Sequence, residues 1–378
     1  MARRGNSEGT ICKRSDGRWT AAITLDGGKR RFFYGRTRQV VQDKLKAARR
    51  AVDDGLPVSS DRQTFATFSS RWLDDVAKAT VKAKTFLFYS GILRLHVIPA
   101  IGKRPLSRVA PQDLQALYTR KLEQGLSPQT VGHIHRVIHR VLQDALRWGL
   151  VARNVCDAVK PPRAPRREMS ALTPEEARRL LAYATGDSLE ALYVLALTTG
   201  MRQGELLALK WQDFDAETER LTVQRSVIYI SGQGSIESEP KSNHGRRNIL
   251  LTPLAVAALK GHRALQAEER IRAIAWEDND LIFCNAVGRH IQASNLMRRS
   301  YRPLLEKSGL PRIRFHDLRH TAATLLLLQG VHVKVVSEML GHSSVSLTLD
   351  VYSHVLPSMQ SDAAAKMEAL FSTGSEAV

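Results

Sequence analysis

Four short stretches carry the side chains with chemical potential: Thr199-Gly200-Met201-Arg202-Gln203-Gly204-Glu205, Pro240-Lys241-Ser242, His316-Asp317-Leu318-Arg319-His320, and Leu340-Gly341-His342-Ser343-Ser344 with Tyr352 beyond it. Their residue types suit work on an anionic group. Guanidiniums are permanently charged and donate paired hydrogen bonds to such a group. Imidazoles exchange protons near neutral pH. A tyrosine hydroxyl, with an ordinary pKa of about 10, attacks only where a proton acceptor and a positive field assist it. Taken singly each stretch is weak, because an HxxR match, a Gly-His pair or a tyrosine beside a helix is ordinarily structural. Order and spacing together carry the information.

In this order the stretches resemble the tyrosine recombinases of the phage and mobile-element integrase type. The shared pattern is an Arg just after a helix-ending Gly, a Lys in a hairpin, then HxxR, then LGH with a Tyr ten residues on. The resemblance covers the whole catalytic half and, more loosely, the two basic segments before it. It implies Arg202, Lys241, His316, Arg319, His342 and the nucleophile Tyr352 as functional residues, with Glu205 as a supporting carboxylate. Attack at phosphorus builds negative charge on the non-bridging oxygens, which Arg202 and Arg319 would hold and to which His342 would add a donor. His316 is the candidate base for Tyr352, and Lys241, at the tip of a mobile hairpin, the candidate acid for the leaving 5′-oxygen. Arg246 and Arg247 lie close to Lys241 and compete for that role. A phosphotyrosyl ester retains bond energy for religation, so the resemblance implies no ATP, metal or other cofactor. Of eight tyrosines only Tyr352 follows LGHSS at the family distance. Asp317 reads as structural.

The elements that must position these residues follow from charge and pattern. The 378 residues include 56 Lys and Arg against 37 Asp and Glu, a formal net charge of +19, which points to a polyanion partner. Residues 1–60 have a net charge of +8, residues 61–165 of +10 and residues 166–378 of +1, so the surplus belongs to dedicated nucleic-acid-gripping modules in front of a near-neutral catalytic part. No apolar run approaches the roughly 18 residues of a membrane span, and no signal-peptide h-region follows the basic start, so a soluble cytoplasmic protein is expected. Cys12, Cys156 and Cys284 form neither a disulfide framework nor a metal cluster.

The expected fold is mainly α with small β-sheets (α+β). Residues 1–58 read as a sheet-plus-helix module in which Arg18, Lys29, Arg31, Arg36 and Arg38 line a groove-facing side. Residues 59–160 read as a helical module with four helices, near Thr64–Lys78, Lys82–Ile98, Pro111–Gln124 and Pro128–Trp148, with Pro99 and Gly125 as stops. The last helix carries Arg136, Arg140 and Arg147. His133, His135 and His139 lack a third-ligand pattern, and no metal site is assigned. Residues 161–170 are a Pro/Arg linker, and 171–378 a mainly α catalytic domain with a β-hairpin and a C-terminal tail. The domain opens on a capping box, Thr173 with Glu176. The Leu325 to Leu328 run reads as a buried stripe ending near Gly330. The tail helix signal in 358–371 predicts packing against a neighbouring protomer, and loss of synapsis on deleting 359–378 is the corresponding outcome.

The resemblance implies a site-specific recombinase that integrates and excises a mobile element through a 3′-phosphotyrosyl intermediate and a Holliday junction. Its partners would be double-stranded DNA at attachment sites, three further copies of itself, a directionality factor and a DNA-bending protein. Two other readings stand beside it: a topoisomerase-like strand-relaxing enzyme, and a sequence-specific regulator that binds without cleaving. Covalent capture on DNA separates the last from the rest.

Overall fold

The computed structural model describes residues 9–24, 30–53, 63–165, 170–230, 232–239, 245–352, 364–365 and 367–371. The chain divides into two compact units, Met1–Arg166 and Arg167–Val378, with the break inside the Pro/Arg segment.

In the first unit β1 (Thr10–Lys13), β2 (Trp19–Thr24) and β3 (Arg30–Gly35) form an antiparallel sheet in that order. Alternation sends Trp19, Ala21 and Ile23 to one face, where α1 (Arg38–Asp53) covers them with Val41, Leu45 and Ala48. Register overturns one expectation. Arg31 pairs with Ile23 and so shares the helix-covered face, while Arg30, Phe32 and Tyr34 point to the open side. The run Arg30-Arg31-Phe32-Phe33 offers each face one arginine and one aromatic, so alternation alone could not choose. Phe32 and Tyr34 are 51% and 49% exposed, and the Arg14 guanidinium lies 5.7 Å from the Tyr34 ring centre. Arg18, Arg36 and Arg38 are exposed; Lys29 lies outside the described residues.

The unit has a second core, built by α2 (65–80), α3 (83–101), α4 (Pro111–Glu123) and α5 (Pro128–Arg147). Thr64 and Ser127 cap α2 and α5 by accepting from the amides of Thr67 and Thr130. The α5 stripe Val131, Ile134, Ile138, Val141 and Leu142 is buried, each side chain contributing roughly 1.5–3 kcal/mol. A buried carboxylate anchors the bundle: Asp144 accepts from Trp72 Nε1 at 2.8 Å. Pro99 does not stop α3, which runs on to Ile101. A π-turn at Leu93–Val97 has already shifted the helix register, and the proline sits at the first positions of the next turn, where its missing N–H is tolerated. Gly125, in the left-handed region at φ +83°, does follow the end of α4.

The second unit wraps its core around α7 (Glu190–Thr199), apolar on all sides and buried from Ala191 to Leu197. It follows α6 (Pro174–Ala184), whose Thr173/Glu176 capping box is present, and precedes the short α8 (Gln203–Leu206). Then come β4 (Phe214–Asp215), β5 (Arg220–Val223), β6 (Ser226–Ile230), β7 (Gly234–Ser238) and β8 (Arg247–Leu250). β4, β5 and β8 make one sheet, and β6 and β7 a separate hairpin. Lys241, expected at a hairpin tip, lies outside the described residues.

The helices that follow are α9 (Pro253–Arg272), α10 (293–307), α11 (Phe315–Leu328), α12 (Val333–Leu340) and α13 (Val345–Tyr352), with an irregular stretch over 273–292. A small separate cluster, Ala323, Leu327, Val336 and Leu340, joins α11 to α12. Of the Leu325–Leu328 run only Leu327 is fully buried and Leu328 is 53% exposed, because consecutive helical residues rotate away from any one face. Among the described residues no helix is long and apolar enough to cross a membrane.

Candidate active site

Two helices that end on left-handed glycines build the frame. α7 closes on Gly200 at φ +63° and α12 on Gly341 at φ +67°, conformations that exclude most other residues. Each of these glycines presents its carbonyl to one arginine. Arg319 Nη1 donates to Gly200 O at 2.9 Å, and Arg202 Nη2 donates to Gly341 O at 3.3 Å. The Gly200 turn is also pressed close: a Cβ there would stand 2.5 Å from Leu340 Cδ2. Segments 139 and 119 residues apart in sequence are thus cross-tied by the two guanidiniums.

Glu205 organises the cationic side. Buried at 3% exposure, it accepts from Arg202 Nη1 at 2.7 Å and from the Arg202 amide at 3.0 Å, closing a capping box at the start of α8. Oε2, the oxygen that accepts from the Arg202 amide, also accepts from Arg247 Nη2 at 2.8 Å. Burial alone would raise the Glu205 pKa, but the Arg247 guanidinium, with Arg202, outweighs it and holds the carboxyl below its ordinary value. Arg247 in turn donates from Nε to Met339 O at 2.6 Å, gripping the end of α12. Arg247 was named in the sequence only as a competitor of Lys241. Its partner is 42 residues away, and nothing local distinguishes it from Arg246, which pairs with the exposed Glu239.

The HDLRH stretch does open a helix. Asp317 caps α11 by accepting from the Arg314 amide at 2.8 Å, a structural task. The first turns then place His316, Arg319 and His320 together, the two imidazoles edge to face at 5.0 Å. The His316 pKa is lowered by partial burial first and then by Arg319, with Arg314 and Arg202 adding to it. His342 is pushed down to about 4 by burial and then by Arg319, Arg202, His320 and Arg247; His320 also falls to about 4, by burial and then His316. These imidazoles are therefore neutral at physiological pH, able to accept or donate a hydrogen bond without carrying charge of their own. His342 Nδ1 lies 2.8 Å from the hydroxyl of Thr348, a fully buried residue on α13. That contact ties the imidazole to the helix that ends at Tyr352, whose side chain lies outside the described residues.

The structure thus brings Arg202, Glu205, His316, Arg319 and His342 into one cluster and adds Arg247 and His320. His135 and His139 have other partners: Nδ1 of His135 is 2.9 Å from the Tyr118 hydroxyl, and Nε2 of His139 is 3.0 Å from Asp157. His133 packs edge-on to Phe88. Among the described residues no group of three His, Cys, Asp or Glu is arranged to hold a metal. The chain matches the Phage integrase family over residues 170–359 and the phage integrase N-terminal SAM-like domain over residues 64–122.

The chain belongs to the phage integrase family. It is 32% identical over 361 residues to a protein named tyrosine recombinase XerC-like from Caldanaerobacter subterraneus subsp. tengcongensis, covering 90% of this chain and 92% of that one. An integrase of Streptomyces ambofaciens is 29% identical over 368 residues, 94% of each chain. Among solved structures, the Tn1549 transposon integrase in complex with a circular intermediate DNA has the same fold at a TM-score of 0.69, with 24% identity, over 82% of this chain and 99% of that one. The integrase-family chain is thus a tyrosine recombinase, an enzyme of DNA cleavage and rejoining.

Proposed function

We propose that this recombinase integrates and excises a mobile element, with Tyr352 as nucleophile. Tyr352 attacks the scissile phosphorus as His316 takes its proton. The Tyr–O–P bond forms and the bond from phosphorus to the 5′-oxygen breaks, and Lys241 delivers a proton to that oxygen. Arg202, Arg319 and His342 bind the non-bridging oxygens, and Glu205 and Arg247 hold Arg202 in place. A second 5′-hydroxyl then attacks the 3′-phosphotyrosyl ester and releases the tyrosine. Four protomers on two sites carry this out pairwise through a Holliday junction, assisted by a directionality factor and a bending protein.

Residues 1–58 bind arm-type sites, with Arg18, Lys29, Arg36 and the open sheet face of Arg30, Phe32 and Tyr34 toward DNA. Residues 59–160 bind core-type sites, with the exposed Arg136 and Arg140 of α5 as contacts. The observation that carries the reading is the cross-tie of Arg202 and Arg319 through the Gly341 and Gly200 carbonyls, which sets two permanent cations beside neutral imidazoles. The test incubates the protein, in EDTA, with nicked duplexes from the DNA flanking its gene and scores SDS-resistant adducts. An adduct that Tyr352→Phe abolishes is expected. Stable binding with no adduct in the unaltered protein overturns the reading in favour of a non-cleaving regulator.

A further inference from the structure

Two contacts fix His342, one through its backbone and one through its ring. The backbone closes α12 in a Schellman turn: the Gly341 amide donates to Glu338 O at 2.9 Å and the His342 amide to Ser337 O at 3.0 Å. The ring is held from another element, with Nδ1 2.8 Å from Oγ1 of Thr348 on α13. Thr348 is 0% exposed, so water does not reach its hydroxyl. A helical threonine often gives its hydroxyl hydrogen to the carbonyl one turn back. Thr198 does so to Val194 O at 2.8 Å and Thr321 to Asp317 O at 2.9 Å. Thr348 does not: among the described residues its hydroxyl meets the His342 ring alone.

A buried hydroxyl hydrogen without an acceptor is costly, and Nδ1 is the acceptor within reach. Burial and then Arg319 push the His342 pKa down to about 4, so the ring is neutral at physiological pH and has one bare nitrogen and one N–H. With Nδ1 accepting, the hydrogen sits on Nε2. We infer that Thr348 is a positioning residue for His342: by donating to Nδ1 it fixes the ring and the tautomer that presents Nε2–H to a non-bridging phosphate oxygen. The opposite tautomer would offer that oxygen a lone pair and repel it. The inference rests on the reading of His342 as a donor to the phosphate.

The tautomer is read first, in the full-length protein with isotope-labelled histidine. A long-range proton–nitrogen spectrum at neutral pH reports which ring nitrogen bears hydrogen, and the His342 signal is the one missing from His342→Ala. A bare Nδ1 is expected, and hydrogen on Nδ1 overturns the inference. Single-turnover cleavage of a nicked duplex carrying the site located by covalent capture then compares two variants. Thr348→Val keeps the shape and loses the hydroxyl, whereas Thr348→Ser keeps the hydroxyl. Thr348→Val is expected to lose at least about tenfold, bounded by the ~10²–10³ typical of removing such a donor, and Thr348→Ser to stay within about threefold. On a His342→Ala background Thr348→Val should change the rate by less than about twofold, because a positioning residue has no effect once the group it positions is gone.

A loss from Thr348→Val that is equally large on the His342→Ala background marks a packing role and overturns the inference. Full activity of Thr348→Val beside a slow His342→Ala overturns it too and leaves the phosphate-donor reading standing. A His342→Ala protein that cleaves at the unaltered rate removes that reading and the inference with it. Should Thr348→Val not fold, the spectrum of the unaltered protein decides alone.

Discussion

Replacing Glu205 with glutamine keeps its size and removes its charge, which isolates what the carboxylate does between two arginines. Arg247 has a side-chain exposure of only 7%, so its guanidinium would be left as a buried cation facing an amide that can turn just one acceptor toward it. Breaking a buried pair from one side costs about 3–5 kcal/mol, and the retained carbonyl oxygen puts this case at the lower end, about 3 kcal/mol. The Arg202 pair adds little to stability, since 41% of that side chain is exposed and solvent screens it. In a unit spanning Arg167–Val378 a loss of that size lowers the melting temperature by roughly 6–12 °C. The pH dependence has a definite sign. The folded carboxyl titrates below its ordinary 4.5, so its stabilisation is complete above pH 4.5 and is lost as the pH falls through the depressed value. The gap between the two proteins should therefore be constant from neutral pH down to about 4.5 and close below it. Thermal melts of both proteins across pH 3.5–8 measure this, and melting within 2 °C of the unaltered protein at pH 7 would refute the reasoning.

Two further outcomes follow from the same geometry. The His316 pKa is depressed, so the proposed base stays deprotonated as the pH falls past 6.5, and the acidic limb of single-turnover cleavage should lie below pH 6.5; a limb centred at pH 7 or higher counts against His316. Asp144→Ala strands the Trp72 indole N–H in the helical core, which should cost about 1–3 kcal/mol in the first unit and leave the second unchanged. Limited proteolysis, with faster cutting only before residue 166, checks it.

The parts of the molecule that were legible in the sequence are those whose cause is local. The Thr173–Glu176 box depends on residues within a few positions and stands where capping put it, and the Gly200 stop, equally local, stands where the resemblance implied it. What escaped depends on distant partners or on register. Arg247 acquires its role from Glu205 across 42 residues. Arg31 and Arg30 exchange faces according to which side α1 covers, a choice made by α1 and not by the strand. Pro99 obeys a rule for α-helices that the π-turn before it suspends. The hairpin was foreseen, but strand partners were not: β8 pairs with β5 and skips its neighbour β7.

The small cluster of Ala323, Leu327, Val336 and Leu340 has a consequence for how the enzyme opens. It stands apart from the main core around α7 and is the only cluster of buried apolar side chains, among the described residues, that joins α12 to α11. α13 depends on it at one remove, with Thr348 its fully buried side chain among those described. Regions held by few buried apolar contacts exchange their amide hydrogens through local opening, at a free energy well below that of global unfolding. Protection should therefore fall in steps from α7 to α12 to α13, so that the helix ending at Tyr352 detaches and returns many times while Arg202 and its carboxylate stay folded.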